Sequence, residues 1–174
     1  MKKRFQFKRK YPVLVSLLFL GLILFCYFNL SVNITSSMPL GIYIRSVGKI
    51  QVGNIVLICL NDPYKTLGLK KSYLEIGHKC NGADPVIKMV IAVPGDHVVL
   101  ANGYIEVNGI KYLFKTFHWD GMGRKLNVYP RGNYSSTVGY WLIGTHDIKS
   151  WDSRYWGPVS KKQILRKIKL LAVW

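Results

Sequence analysis

Lys88 interrupts the apolar stretch V-I-K-M-V-I-A-V, Val86 to Val93. In a strand, Val86, Val90 and Ala92 share its face, while Ile87, Met89, Ile91 and Val93 occupy the other. A lysine flanked by apolar residues on both faces loses hydration, which disfavours the ammonium and lowers its pKa. A neutral lysine amine is a general base. Spacing alone suits a strand-end lysine, whose stem is buried and whose ammonium reaches water, at least as well. Ser37 lies in N-I-T-S-S-M-P-L-G-I-Y, Asn33 to Tyr43. Pro39 fixes its own φ and pushes Met38 toward extended geometry, and Gly41 permits a further unusual turn. Ser37 therefore sits on a shaped entry to a strand. A serine hydroxyl is a weak nucleophile until a base comes within hydrogen-bond reach, and lysine can be that base. Taken alone, Ser37 is also an ordinary loop serine.

Other chemistries fit less well. A Ser-His-Asp triad would draw on His78, His97, His118 or His146, but His146 and Asp147 are adjacent, so their side chains diverge. The chain has no G-x-S-x-G elbow. His78, Cys80 and Cys59 lack the compact spacing of a zinc motif, so no metal site is expected. No Walker or Rossmann glycine pattern is present, so no nucleotide cofactor is implied.

The elements that must position Ser37 and Lys88 begin with an uncharged run, Val13 to Leu30. At about 1.5 Å per residue it spans roughly 27 Å, close to the thickness of a bilayer's hydrocarbon. Its apolar core is longer than that of a cleaved secretory signal, and V-N-I-T-S-S is a loose cleavage site. Three segments are expected: a basic cytoplasmic tail (1–12), a transmembrane anchor (13–30) and an exported domain (31–174). Lys2, Lys3, Arg4, Lys8, Arg9 and Lys10 precede the run, with no comparable cluster just after it. That asymmetry places the N-terminus in the cytoplasm and the domain in the periplasm of a Gram-negative cell, at the inner membrane. The formal net charge of +17 suits an anionic partner. The remaining basic residues lie singly in strand-like segments, where a solvated face explains them, so no nucleic-acid partner is expected. Cys26 falls inside the anchor. Cys59 and Cys80 fall in the exported part, where disulfides persist; a bridge between them and two buried free thiols both remain open.

Most signals after the anchor are those of strands. They are Gly41–Arg45, the apolar Asn54–Leu60, and Pro85–Asp96 ended by Pro-Gly-Asp turn chemistry. Two Asn-Gly turns, at Asn102-Gly103 and Asn108-Gly109, divide the next stretch into a meander. The segment 62–77 is polar, with room for a short helix. Phe117–Ser136 is a Gly- and aromatic-rich excursion. V-G-Y-W-L-I-G reads as another strand and W-D-S-R-Y-W-G-P-V as a loop. Ser160–Leu165 reads as a short turn or helix. A final strand follows, with Ile168, Leu170, Ala172 and Trp174 on one face.

Three stretches then occur in order: T-S-S-M-P-L-G-I-Y, P-V-I-K-M-V-I-A-V-P-G-D and S-W-D-S-R-Y-W-G-P-V. They resemble the nucleophile, lysine and S-x-D-S-R boxes of the type I signal peptidases. The S-M-P-x-G-x-Y form, the Cys59/Cys80 pair and D-G-M-G-R-K-L (Asp120 to Leu126) resemble the TraF-type conjugative-transfer peptidases more closely. The resemblance runs from the anchor nearly to the C-terminus. It implies a mainly β, signal-peptidase-like fold with one N-terminal transmembrane helix. Ser37 would be the nucleophile and Lys88 its base. The Ser37 N–H and the Thr35 hydroxyl would hold the oxyanion. Ser150 would orient the lysine amine, Asp152 and Arg154 would brace the site, and Met38 and Pro39 would shape the substrate pocket. The substrate would be a precursor protein, a propilin of a conjugative or type IV secretion system. It would be bound as an extended strand with small side chains near the cut. An amine in place of water in the second step would cyclise the pilin. Other conjugation or secretion components are possible neighbours. A non-catalytic, membrane-tethered secretion component with the same fold is the alternative of a different class. One departure stands out: Gly144-Thr145-His146-Asp147 replaces the G-D-N start of the usual box, which leaves that loop's geometry open.

Overall fold

The apolar run winds into a helix, α1 (Lys10–Asn29), of which Tyr11–Asn29 is long and apolar enough to cross a membrane and is not buried against the rest of the chain. The computed structural model describes residues 10–134 and 138–174. The basic residues Lys2, Lys3, Arg4, Lys8 and Arg9, and Ser135 and Ser136, lie outside the described residues. The helix ends one residue before the apolar run does. Leu30 instead opens an edge strand, β1 (Leu30–Asn33), that pairs antiparallel with β2 (Gly41–Ser46). The chain is thus held by a ladder directly outside the anchor.

The remaining elements are β3 (Ile55–Ile58), α2 (Tyr64–Lys70), β4 (Ile76–Gly77), β5 (Gly82–Ala83), β6 (Val86–Ala92), β7 (Val98–Ala101), β8 (Tyr104–Val107), β9 (Ile110–Leu113), β10 (Gly132–Tyr134), β11 (Trp141–Ile143), α3 (Ser153–Trp156) and β12 (Ile164–Val173). The main sheet has the order β1-β2-β12-β3-β6-β11, and a second sheet has the order β10-β7-β8-β9. The fold is mainly β, and every strand pair is antiparallel. Both Asn-Gly turns form, but only Asn108-Gly109 has both residues at positive φ. Two expectations change. The W-D-S-R-Y-W loop contains one helical turn, α3, because the Asp152 side chain accepts the Arg154 N–H at its start. In β12 Ile168 is buried, but both faces are exposed after it, so Leu170, Ala172 and Trp174 face no core and neither do Leu171 and Val173. The Ser160–Leu165 segment forms the expected short turn, a 3-10 turn at Lys161–Gln163.

The sheet curls, because β1 and β6 stand well apart in strand order yet line one groove. Met38, Tyr43, Leu57, Ile87 and Ile168 fill the inside of the curl as one apolar cluster. A second cluster (Ile91, Val98, Leu100, Ile105, Trp141, Ile143) joins the two sheets. Gly41 starts β2 hard against β12: a Cβ there would lie 2.0 Å from the Ala172 carbonyl oxygen.

Cys59 and Cys80 are bridged, with their Cα atoms 5.3 Å apart. The bridge closes a loop that contains α2 and Tyr73. In the chain-entropy account, a loop of this size contributes about 3 kcal/mol. Replacing both residues (Cys59→Ser with Cys80→Ser) is expected to lower unfolding free energy by about that amount. Urea denaturation of the full-length chain in detergent, followed by Trp fluorescence, measures the change.

Candidate active site

β6 is buried on both faces at Ile87, Lys88, Val90 and Ile91. A strand pattern that alternates would leave one face to water; this one leaves neither, so Lys88 is only 3% exposed. Its Nζ lies 2.7 Å from Ser37 Oγ. Among the described residues no carboxylate lies within ion-pair distance of it. Burial without a paired anion pushes the Lys88 amine down to about 8; Asp152 and Asp147 at longer range pull upward and Arg154 adds a downward push. Near pH 8 much of this lysine is therefore neutral. A neutral amine at hydrogen-bond distance from a hydroxyl can take its proton and leave an oxygen nucleophile.

The Ser37 loop is built around Asn33, a residue sequence reading passed over. Asn33 is 4% exposed. Its Nδ2 donates to the carbonyls of Thr35, Met38 and Pro39 at 2.9, 2.9 and 3.0 Å, and its Oδ1 accepts the Thr35 N–H and hydroxyl. One amide thus satisfies the backbone of a loop too short for a ladder. An asparagine at a strand end followed by Thr-Ser-Ser is Asx-turn chemistry, which was the available signal. The Thr35 hydroxyl, expected beside the oxyanion, points its proton back to Asn33 Oδ1 at 2.8 Å. Met38 and Pro39, expected in the substrate pocket, do not line the cleft at Ser37. Met38 drops into the cluster inside the curl, and the Pro39 carbonyl accepts from Asn33 and from the Tyr43 hydroxyl.

The other side of Ser37 is set by the segment 144–154. The His146 N–H donates to the Ser37 carbonyl at 3.2 Å, and the Ser36 hydroxyl donates to Asp147 at 2.8 Å. A Cβ at Gly144 would meet Ser150 Oγ at 2.2 Å and the Ser37 carbonyl at 2.8 Å. The departure at Thr145-His146-Asp147 therefore still docks the nucleophile loop, through a backbone N–H and a carboxylate. Asp152 and Arg154 are 0% and 1% exposed. Asp152 takes Arg154 Nε and Nη2 at 2.8 Å each and the Gly144 N–H at 3.0 Å. Arg154 also donates to the carbonyls of Lys115, Ile148 and Ser150 at 2.6, 3.1 and 2.8 Å. Breaking such a pair leaves a buried charge, which is why it holds three segments rigidly. Ser150 Oγ is buried and makes no hydrogen bond among the described residues, although Ser150 lines the same cleft as Ser37, Lys88 and Thr35. Leu60, Tyr73, Leu74, Val86, Lys149 and Trp151 complete that cleft. Among the described residues no group of three His, Cys, Asp or Glu could hold a metal.

Comparison with known proteins adds four findings. A family model described as signal peptidase, peptidase S26, matches residues 8–174. Plasmid transfer protein TraF of Escherichia coli is 30% identical over 153 residues, covering 82% of this chain and 82% of its own. Signal peptidase IB of Staphylococcus aureus is 32% identical over 124 residues, covering 60% of this chain and 61% of its own. A solved signal peptidase I of Enterococcus faecalis aligns with 73% of this chain and 100% of its own, at 16% identity and a TM-score of 0.39, too loose a superposition to add to the sheet topology itself.

The buried lysine can be titrated directly. NMR of the reductively methylated protein is expected to show one lysine, absent in Lys88→Met, titrating near 8 rather than near 10.5. Its folded pKa lies below its unfolded one, so the burial penalty is fully present below about pH 8 and is relieved as pH rises toward 10.5. Lys88→Met is therefore expected to be more stable than wild type at pH 7, by on the order of 2–3 kcal/mol. Chemical denaturation at pH 7 and pH 10 measures both the gain and its decline.

Proposed function

Because the chain belongs to the signal peptidase family, peptidase S26, and is a membrane-anchored, serine-type peptidase, we propose that Ser37 and Lys88 are its catalytic dyad. The contact of 2.7 Å between a buried, unpaired amine and a loop hydroxyl carries this reading. Lys88 takes the proton as Ser37 Oγ attacks the scissile carbonyl. The Ser37 N–H stabilises the oxyanion; a Thr35 hydroxyl turned from Asn33 supplies a second donor. The Lys88 ammonium then protonates the leaving amine, and an acyl-enzyme remains. Lys88 next takes a proton from water, whose oxygen releases the acyl group and restores Ser37. Ser150, with its free buried hydroxyl in the cleft, orients the amine, and Asp152 with Arg154 braces the loops on which the site stands.

The substrate lies extended in the groove between β1 and the start of β6. Two features favour this: β1 is an edge strand, and β11 pairs with β6 only from Met89 onward, so Val86–Lys88 keep one free edge. Val32, Ile34, Leu171, Val173 and Trp174 are exposed at the Ser37 end of the sheet, which suits a site at the bilayer surface. The basic residues before α1 favour a cytoplasmic N-terminus, and with it an inner-membrane anchor and a periplasmic domain over residues 31–174. Similarity to a plasmid transfer protein makes a propilin of a conjugative or type IV secretion system the substrate proposed.

Co-expression with a conjugative pilin precursor tests the reading. Wild type is expected to give mature pilin; Ser37→Ala and Lys88→Ala are each expected to lose at least 1,000-fold in rate. Precursor that matures equally well with either variant would sink the dyad. Bulky residues placed before the cut should stop processing. The product mass separates the two second steps, since a cyclised pilin lacks one water.

A further inference from the structure

The dyad does not use the Asp120–Arg124 loop, yet this loop is among the most tightly tied on the surface. The Asp120 carboxylate accepts the Tyr73 hydroxyl at 2.5 Å, Arg124 Nε at 2.6 Å and the N–H groups of Met122 and Arg124 at 2.9 and 2.8 Å. Gly123, at φ 73°, closes the turn around it. Arg124 Nη2 reaches on to the Lys71 carbonyl at 2.8 Å, and its guanidinium carbon stands 5.4 Å from the Tyr73 ring centre. Trp151, between Ser150 and Asp152 in sequence, packs its ring 5.2 Å from that of Tyr73. A single phenol is thus held at its hydroxyl, by a cation and by an indole. Left free, a half-exposed tyrosine changes rotamer within nanoseconds; clamped, it is a fixed surface.

Tyr73 borders several spaces, and with Lys149 and Trp151 it stands between two of them. On one side is the cleft of Ser37 and Lys88, which it bounds with Leu74. On the other is a mostly apolar cavity walled by Phe117, Trp119, Leu126 and Tyr155. The residue whose carbonyl Ser37 attacks must put its side chain into the first space, because its Cα is one bond from the reacting carbon. We propose that Tyr73, held by Asp120 and Arg124, is a specificity-determining residue: it is the wall that keeps bulky side chains from that position of the substrate. This rests on the Ser37–Lys88 reading above. Removal of the phenol joins the cleft to the apolar cavity and gives a large side chain somewhere to go. A wall that could swing aside would discriminate poorly, which accounts for the four hydrogen bonds gathered on Asp120.

Peptides from a proteome digest, incubated with the full-length chain in detergent and sequenced by mass spectrometry, report the residue before every cut without a known substrate. Wild type is expected to cut after Ala, Gly and Ser. Tyr73→Ala and the smaller but still apolar Tyr73→Leu are expected to raise the share of cuts after Leu, Met and Phe at least tenfold. Asp120→Asn, which keeps the phenol but loosens its clamp, is expected to raise that share about threefold. A profile identical to wild type in variants that still cut, or slower cutting with an unchanged profile, overturns the inference. Ser37→Ala separates the two readings. Cutting that persists in Ser37→Ala, or a wild type that cuts nothing, overturns the dyad and this inference with it. Ser37-dependent cutting with an unmoved profile overturns this inference alone. Thermal melts of each variant with the Cys59–Cys80 bridge intact identify any that fail to fold, and Tyr73→Phe, which only removes the hydroxyl from Asp120, then reads the clamp.

Discussion

An ammonium group held out of water without a partner carboxylate is the constraint on which this structure turns. Burial is what lowers the Lys88 pKa, and burial requires apolar residues on both faces of β6 and a sheet that curls over it. Moving one charge from water to a medium of low dielectric is costly enough that the group neutralises instead. The chain therefore devotes the apolar residues of Lys88's own face, Val56, Val86 and Val90 with Leu60 and Leu74, to the surroundings of a single amine. That burial costs stability locally and leaves much of the amine neutral near pH 8.

A neutral lysine is useless without a hydroxyl fixed beside it, and the hydroxyl comes from the other end of the sheet. Three devices fix it. Asn33 ties the loop internally, Met38 plants it in the core, and His146 with Asp147 docks its outer side. Only seven residues, Leu30 to Ser36, separate α1 from Ser37. At roughly 3.3 Å per residue in an extended chain they reach at most about 23 Å. Four of them are fixed in β1, so the distance from the anchor to the hydroxyl is set by a ladder and not by a tether.

How much of this was legible depended on whether the signal was local. The apolar helix and the meander with its Asn-Gly turns follow from composition and period, whereas the spacing around Lys88 suits a lysine that reaches water at least as well as a buried one. The pairing of Ser37 with Lys88 could be proposed from ordered boxes, and their contact then follows from the curl. What escaped were contacts that no spacing encodes. Asn33 acts through backbone carbonyls that exist only once the loop is bent. Met38 reads as a neighbour of the nucleophile but points away from the cleft, because a buried thioether gains about 1.5–3 kcal/mol inside the curl that an exposed one forgoes. The α3 turn formed in a stretch read as loop because Asp152 caps it. The end of β12 departs from alternating burial because both of its faces are uncovered after Ile168.

The Asp152–Arg154 pair shows why bracing and tuning are not separate tasks. Both groups are fully buried near Lys88, and they act on its proton in opposite senses: Asp152 favours the ammonium and Arg154 opposes it. As a neutral pair they hold the 115, 148 and 150 carbonyls while their fields at the amine oppose each other. Either partner alone would be an unpaired buried charge, and its field would no longer be opposed. Loss of Arg154 would leave a carboxylate that draws the lysine toward its charged form. Loss of Asp152 would leave a guanidinium that drives the lysine further toward neutrality and strands the Gly144 N–H. A hydrophobic replacement of the pair could restore packing, but it would surrender the carbonyls that Arg154 gathers. The ion pair is the arrangement that fixes the loops around Ser37 and sets one charge against the other beside Lys88.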